Sequence, residues 1–281
     1  MAAQTTTLNK QESHEWEALI LAGTRGEKMD PVAAAAGVPL KAFARIGDRS
    51  MASHVLDTLI QSHAFAAVRI SLPPDVDIHE NCPDLAQAIS NERLQRATAT
   101  ANSPAASVEA VLNTLPKNRR LLVATADHPL LDMGTVSEFI AGSSSRNADA
   151  TCGLVSHQSV AEAFPESKRT PLRFREGTYV GCNLFALAAN EGGRSVVRFW
   201  RGLEAKRKQP IRMAAVLGVG TLVRYRMGML GLDEMINKLG EKAGANLAAI
   251  ELTKPTAGID VDSPEDLSLV SRILDQSESE Q

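Results

Sequence analysis

Carboxylates stand where two apolar, strand-like stretches run out. Asp127 closes RRLLVATAD (119–127), and a proline two residues later forces the chain to turn. Asp260 and Asp262 alternate in GIDVDSPEDL, so on an extended backbone both side chains point the same way. Either of them can complete a metal site with Asp127. Mg2+ takes oxygen ligands and commonly uses only one or two carboxylates plus phosphates. A plainer reading has Asp127 merely capping its turn. Ser263 and Asp266 form a capping box and receive no catalytic role, but Asp260 and Asp262 are not explained that way. His128 reads as a turn residue and Asp132 as the cap of the next helix.

A third loaded stretch is LILAGTRGEKMD, Leu19 to Asp30. Gly23 and Gly26 permit tight turns and close backbone approach. Thr24, Arg25 and Lys28 add a hydroxyl and two cations, and the N–H groups opening a following helix favour an anion. The stretch is either an ordinary strand-to-helix turn or a loop that holds phosphates. It matches neither the Walker A pattern nor the dinucleotide G-x-G-x-x-G. No Ser-His-Asp or Cys-His arrangement offers a covalent nucleophile.

These residues need a scaffold, and the hydrophobic pattern predicts one. Strands are expected at 17–22, 66–72, 119–127, 148–155, 178–188 and 247–252. Helices are expected at 51–60, 103–115, 135–142, 195–205, much of 211–240, and 263–274, the last opened by Ser263 and Pro264. Alternating strands and helices predict an α/β fold with a mostly parallel central sheet and helices on both faces. In such sheets ligands lie beyond the carboxyl ends of the strands, where all three loaded stretches fall. One domain is expected over 17–275, with loose tails at 1–16 and 276–281. The region of about 156–246 breaks the alternation and reads as an insert.

Composition narrows the classes. Thirty basic and 33 acidic residues give a net charge of −3, without the electrostatic footprint of a nucleic-acid binder. Cys82, Cys152 and Cys182 are odd in number and far apart, which fits isolated reduced thiols in a cytoplasmic protein. No stretch reaches the ~18 apolar residues of a membrane span, and MAAQTTTLNKQESHEWE lacks the apolar core of a signal peptide.

Five stretches, in order, resemble the nucleoside-triphosphate transferases with the GT-A fold. That group includes molybdenum cofactor guanylyl- and cytidylyltransferases and sugar-phosphate nucleotidyltransferases. LAGTRGEKM is similar to their L-A-G-G-x-G-x-R-M loop, with Thr24 in place of a glycine and Lys28 in place of the arginine. LKAFARIGDRSMASHVL resembles the Pro-Lys segment and the G-x-P-M-x-x-x-V-L that follows it, with Lys41 as the lysine. Here nine residues, PVAAAAGVP, intervene before Lys41, and GDRSM lacks the proline before Met51. VATADHPLL, YVGCNLFAL and DVDSPEDL resemble the metal-aspartate, Gly-Asn and closing motifs.

The resemblance implies a Rossmann-like GT-A fold with an inserted acceptor-binding region. It also implies Mg2+-dependent transfer of a nucleoside monophosphate from a triphosphate onto a phosphorylated acceptor, small-molecule or lipid-linked, with release of pyrophosphate. By the same resemblance Leu21, Ala22, Gly23, Thr24, Arg25, Gly26, Lys28, Ser103 and Ser107 contact the nucleotide. Arg25, Lys41 and Asp127 act on the reacting phosphates. Asp127 and a C-terminal aspartate, Asp260 or Asp262, hold the metal, and Asn183, Arg173 and Arg175 face the acceptor. Lys168 and Arg169 belong to the same basic run, ESKRTPLRFRE, which otherwise reads as a solvated face. Two alternatives share the fold: a glycosyltransferase using a nucleotide sugar, and a non-catalytic nucleotide-binding relative. The former usually carries Asp-x-Asp at the metal strand, where this chain has Thr125-Ala126-Asp127. The nucleotide, the acceptor and the oligomeric state stay open.

Overall fold

A run such as WEALIL can be apolar on both faces only in the middle of a covered sheet, and that is where it lies. The computed structural model describes residues 15–23, 29–98, 103–204 and 218–279. Its strands are β1 (Trp16–Leu21), β2 (Arg45–Ile46), β3 (Arg49–Ser50), β4 (Val68–Leu72), β5 (Gln95–Thr98), β6 (Arg120–Thr125), β7 (Ala150–Ser156), β8 (Leu172–Arg173), β9 (Thr178–Ala188) and β10 (Leu247–Leu252). The main sheet has the order β10-β7-β9-β6-β1-β4-β5, with β8 attached to β9. All neighbours in that order pair in parallel except β9, which runs antiparallel to both β6 and β7. The expected α/β architecture with a mostly parallel sheet is therefore present. The region read as an insert contributes β9 to the sheet's middle and β8 to its flank. β2 and β3 form a separate antiparallel ribbon.

The helices are α1 (Pro31–Ala36), α2 (Met51–Gln61), α3 (Ile78–Asn81), α4 (Pro83–Ser90), α5 (Pro104–Thr114), α6 (Met133–Ser145), α7 (His157–Ala163) and α8 (Glu191–Glu204). Three more follow, at Val219–Arg226, Leu232–Ala243 and Pro264–Ser279. Alternate residues of β1 face opposite ways. Ala18 and Ile20 join a core with Val32 of α1, Leu56 of α2, Leu85 of α4, Phe139 of α6 and Val270 of the last helix. Leu19 joins a second core with Val108 and Leu112 of α5 and Val197 of α8. Helices thus cover both faces. Among the described residues no helix is long and apolar enough to cross a membrane.

Several short elements, α1, β2, β3, α3, α4, β5, α7 and β8, have no counterpart in the hydrophobic pattern, and two of them show why. PVAAAAGVP folds as α1, capped by Asp30, whose carboxylate accepts from the Val32 and Ala33 amides, and closed by Gly37 at φ 66°. Only glycine adopts that conformation without cost. β5, sequence QRAT, is polar because it is an edge strand bonded to β4 alone.

Candidate active site

β6 ends at Thr125, beside the end of β1: the Ala126 amide donates to the Leu21 carbonyl at 3.0 Å. The chain then turns and presents Asp127. Two bonds bring the C-terminal stretch to the same place. The Val261 amide donates to the Asp127 carbonyl at 2.8 Å. His128, only 1 % exposed, sets its Nε2 3.3 Å from the Thr256 carbonyl. Thr256 belongs to the 3-10 turn Pro255–Gly258, which packs so closely on β7 that a Cβ on Gly258 would lie 2.7 Å from Val155 Cγ1. Asp260 and Asp262 are delivered by that turn. His128 is thus a buried tie between the two aspartate stretches, and burial lowers its pKa and leaves the ring neutral.

Lys41 lies on a short 3-10 turn, Lys41–Phe43, anchored by the buried Phe43. Its Nζ is 2.7 Å from Asp127 Oδ2 and 3.1 Å from Asp262 Oδ1, and it donates to the Val261 carbonyl at 2.8 Å. Burial alone would lower the lysine pKa, but Asp127 and Asp262 more than offset it, and Lys41 stays a cation. Burial likewise opposes ionisation of Asp127, yet the Lys41 ammonium holds its carboxyl below the usual range. The nearby Thr125 hydroxyl lowers it further, but Asp127 Oδ1 is buried and makes no hydrogen bond of normal geometry.

Asp260 is held from two sides. Arg169 Nη1 bonds Oδ1, and Asn183 Nδ2 donates to Oδ2 at 2.7 Å. Asn183 reaches it because β9 bulges: Cys152 pairs with Phe185 and Leu154 with Gly181, so three residues of β9 oppose Gly153 alone. The bulge puts Asn183 at φ 50°, a conformation asparagine tolerates better than most residues, and re-aims its side chain. Gly153 makes room, since a Cβ there would lie 3.3 Å from that of Cys182. Burial, with Asp262 and Asp127 nearby, raises the pKa of Asp260 to about 6 in spite of Arg169 and Asn183.

The donor set fits a divalent cation. Among the described residues, Asp127, Asp260, Asp262 and Asp266 face two cations, Lys41 and Arg169, a deficit equal to the charge of one such ion. Asp127 Oδ1 is a desolvated acceptor still waiting for a partner, a costly state unless something fills it. Among the described residues no group of three or more Asp, Glu, His or Cys side chains is placed to hold a metal ion. Mg2+ does not need such a group where phosphates supply its remaining ligands.

The structure brings Lys41, Asp127, Asn183, Asp260 and Asp262 into one cluster. Leu21, Ala22 and Gly23 lie next to it at the end of β1, with Ala22 buried and Gly23 exposed. Thr24, Arg25, Gly26 and Lys28 lie outside the described residues. Ser103 is the N-cap of α5: its hydroxyl accepts from the Ala106 amide at 3.1 Å and donates to Glu204 at 2.6 Å. Ser107, buried one turn later, donates to the Ser103 carbonyl. Arg173 and Lys168 are exposed, and Arg175 pairs with the neighbouring Glu176. Phe174 stacks edge-on to Tyr225 with centroids 5.7 Å apart. Arg169 departs from both readings of its basic run. Its side chain is 6 % exposed and turns inward to Asp260 and Asp266. Nothing local in ESKRTPLRFRE signals that, because its partners lie about ninety residues away.

A family model for the MobA-like NTP transferase domain matches residues 18–206. No curated protein sequence matches the chain. Among solved structures, one described as a hypothetical transferase from Thermus thermophilus is 27 % identical, with a TM-score of 0.74 over 89 % of this chain and 98 % of that one. The 4-diphosphocytidyl-2C-methyl-D-erythritol synthase of Anaerococcus prevotii is 10 % identical, with a TM-score of 0.56 over 95 % and 98 % of the two chains. A CMP:2-keto-3-deoxy-manno-octonic acid synthetase complexed with CTP is 14 % identical, with a TM-score of 0.55 over 94 % and 99 %. The last two likenesses show the shared fold.

Proposed function

Since the chain belongs to the MobA-like NTP transferase domain family and is an enzyme of the nucleotidyltransferase type, we propose that it moves a nucleoside monophosphate from a triphosphate onto a phosphorylated acceptor. An acceptor phosphate oxygen attacks the α-phosphorus. The new P–O bond forms as the α–β anhydride bond breaks, and pyrophosphate leaves with the electron pair. The acceptor phosphate is already ionised at neutral pH, so no general base is required. The protein's work is positioning and neutralising charge.

The observation that carries this reading is the cluster at the strand ends, where Lys41 bridges Asp127 and Asp262 and one oxygen of Asp127 is left desolvated and unpartnered. In the proposed complex Gly23 to Lys28 wraps the triphosphate, with Arg25 and Lys28 on the leaving pyrophosphate. Lys41 stays near the transferring phosphate, and the nucleoside end faces the start of α5, towards Ser103 and Ser107. Asp127 and Asp260 would hold Mg2+, with Asp262 beside them on Lys41. When bound, the ion would supply charge neutralisation on the phosphate oxygens. Asn183, Arg173 and Arg175 face the acceptor.

A thermal-shift panel of CTP, GTP, ATP and UTP, each with Mg2+ and with EDTA, tests the reading. CTP comes first, because the two distant structural neighbours are named for cytidylyl chemistry. A nucleotide at 100 times its dissociation constant should stabilise the fold by about 2.7 kcal/mol. The expected result is a Mg2+-dependent shift with one nucleotide, followed by pyrophosphate release once an acceptor phosphate is added. A well-folded sample that shifts with none of the four would overturn it.

A further inference from the structure

Arg169 spends every part of its guanidinium inside the protein. Its Nε donates to Ser167 Oγ at 2.7 Å, Nη1 bonds Asp260 Oδ1, and Nη2 donates to Asp266 Oδ1 at 2.5 Å. With 6 % of the side chain exposed, it has no face left for a solvent-borne acceptor. Its two carboxylates differ in kind. Asp266 lies in the first turn of the helix Pro264–Ser279, where its other oxygen accepts from the amides of Asp262 and Ser263 and from the Ser263 hydroxyl. Asp266 is therefore fixed by rigid secondary structure. Asp260 sits on the extended segment before that helix, and its remaining contact is Asn183 on the β9 bulge.

We propose that Arg169 is the positioning residue of Asp260: it ties that carboxylate to the helix-bound Asp266 and fixes the orientation in which it meets a divalent cation shared with Asp127. The inference rests on the reading of Asp127 and Asp260 as metal-holding residues. Carboxylates that bind metal are commonly oriented by hydrogen bonds from a surrounding shell, and losing such a partner typically costs 10–100-fold in metal affinity. The planar fork makes the assignment specific to arginine, because it engages two carboxylates at fixed angles, which a lysine ammonium cannot do. Asn183 holds the opposite oxygen, so the plane of the Asp260 carboxylate is set from both sides.

Mn2+ serves as the probe, titrated into the full chain with and without nucleoside triphosphate and followed by water-proton relaxation. We expect Arg169→Met to weaken Mn2+ binding 10–100-fold and Arg169→Lys to fall between it and the wild type. Asp266→Asn should lower the melting temperature and weaken Mn2+ binding by less than Arg169→Met does, since it loosens the anchor but leaves the Arg169–Asp260 contact in place. Wild-type affinity in Arg169→Met, with binding lost in Asp260→Asn, overturns the proposal and leaves the metal reading standing. Unchanged binding in Asp260→Asn overturns the metal reading itself. Equal losses in Arg169→Met and Asp266→Asn reduce Arg169 to a structural tie and also overturn the proposal. Should Arg169→Met fail to fold, the contrast between Arg169→Lys and Asp266→Asn carries the same decision.

Discussion

Asp84 and Asp127 are both half-buried aspartates, and the two regions treat them in opposite ways. Asp84, in the first turn of α4, is saturated with donors. One oxygen accepts from the Ser50 amide and hydroxyl, each at 3.0 Å, and from the Ser53 hydroxyl at 2.5 Å. The other accepts from the Cys82 thiol at 3.1 Å. Burial works against its charge, but the Ser53, Ser50 and Cys82 donors win and hold the carboxyl far below the usual range. Asp127 has Lys41 on one oxygen, while the other makes no hydrogen bond of normal geometry and has only the Thr125 hydroxyl nearby. A saturated carboxylate stabilises a fold, because every lone pair lost to water is replaced. A half-satisfied one costs stability and persists where the vacancy has a use. The first joins α2 to α4, and the second follows the end of β6.

Breaking the less satisfied carboxylate should have the larger catalytic effect. Asp127→Asn is expected to lower kcat by about a thousandfold, equivalent to about 4 kcal/mol of transition-state stabilisation, with little change in melting temperature. Pyrophosphate release and a thermal melt on the same sample check it. A variant that keeps its turnover would remove Asp127 from the chemistry and dissolve the contrast. Lys41→Met should cost about a hundredfold in kcat, because a cation beside the transferring phosphate is lost. It should also weaken the hold on Asp262, seen as faster hydrogen exchange around residues 260–263.

The satisfied carboxylate should show the reverse pattern. Asp84→Ala is expected to lose about 3 kcal/mol of stability in urea unfolding, since it strands the Ser50 and Ser53 donors, and to leave kcat untouched. The pH dependence follows from the sign of the shift. The folded pKa lies below the ordinary 3.8, so the stabilisation is complete above that value and is lost as pH falls through and below it. The stability gap between the wild type and Asp84→Asn should therefore be widest near neutral pH and shrink below about pH 4. A gap that is flat down to pH 3 would contradict the assignment.

How much of this was legible in the sequence depends on the range of each interaction. β1 and β6 announce themselves because apolar runs bounded by Gly23 and Asp127 are local patterns. Asp127, Asp260 and Lys41 were legible as types at strand ends and in motifs, and the structure gathers them. β5 was not legible, since an edge strand needs no apolar face. Nor was α1, whose alanines carry no amphipathic signal. Arg169 looked like part of a basic surface run, and only the fold shows that its charges are absorbed by Asp260 and Asp266. The β9 bulge that aims Asn183 is equally invisible in YVGCNLFAL.

Ser103 gives the smallest effect and sharpens the same distinction between saturated and waiting groups. Its hydroxyl has one proton, already given to Glu204, and it accepts from the Ala106 amide as the cap of α5. Replacing a serine N-cap by alanine typically costs about 1 kcal/mol, and Ser103→Ala should lose about that much in urea unfolding. Because the donor is committed, nucleotide KM should stay within about twofold of the wild type. A rise of about tenfold in KM with kcat unchanged would mean that the hydroxyl abandons Glu204 for the nucleotide when the donor binds. Ser103 would then belong with Asp127 among the groups whose partner is the substrate, and the start of α5 would be part of the nucleotide site in the strict sense of contact.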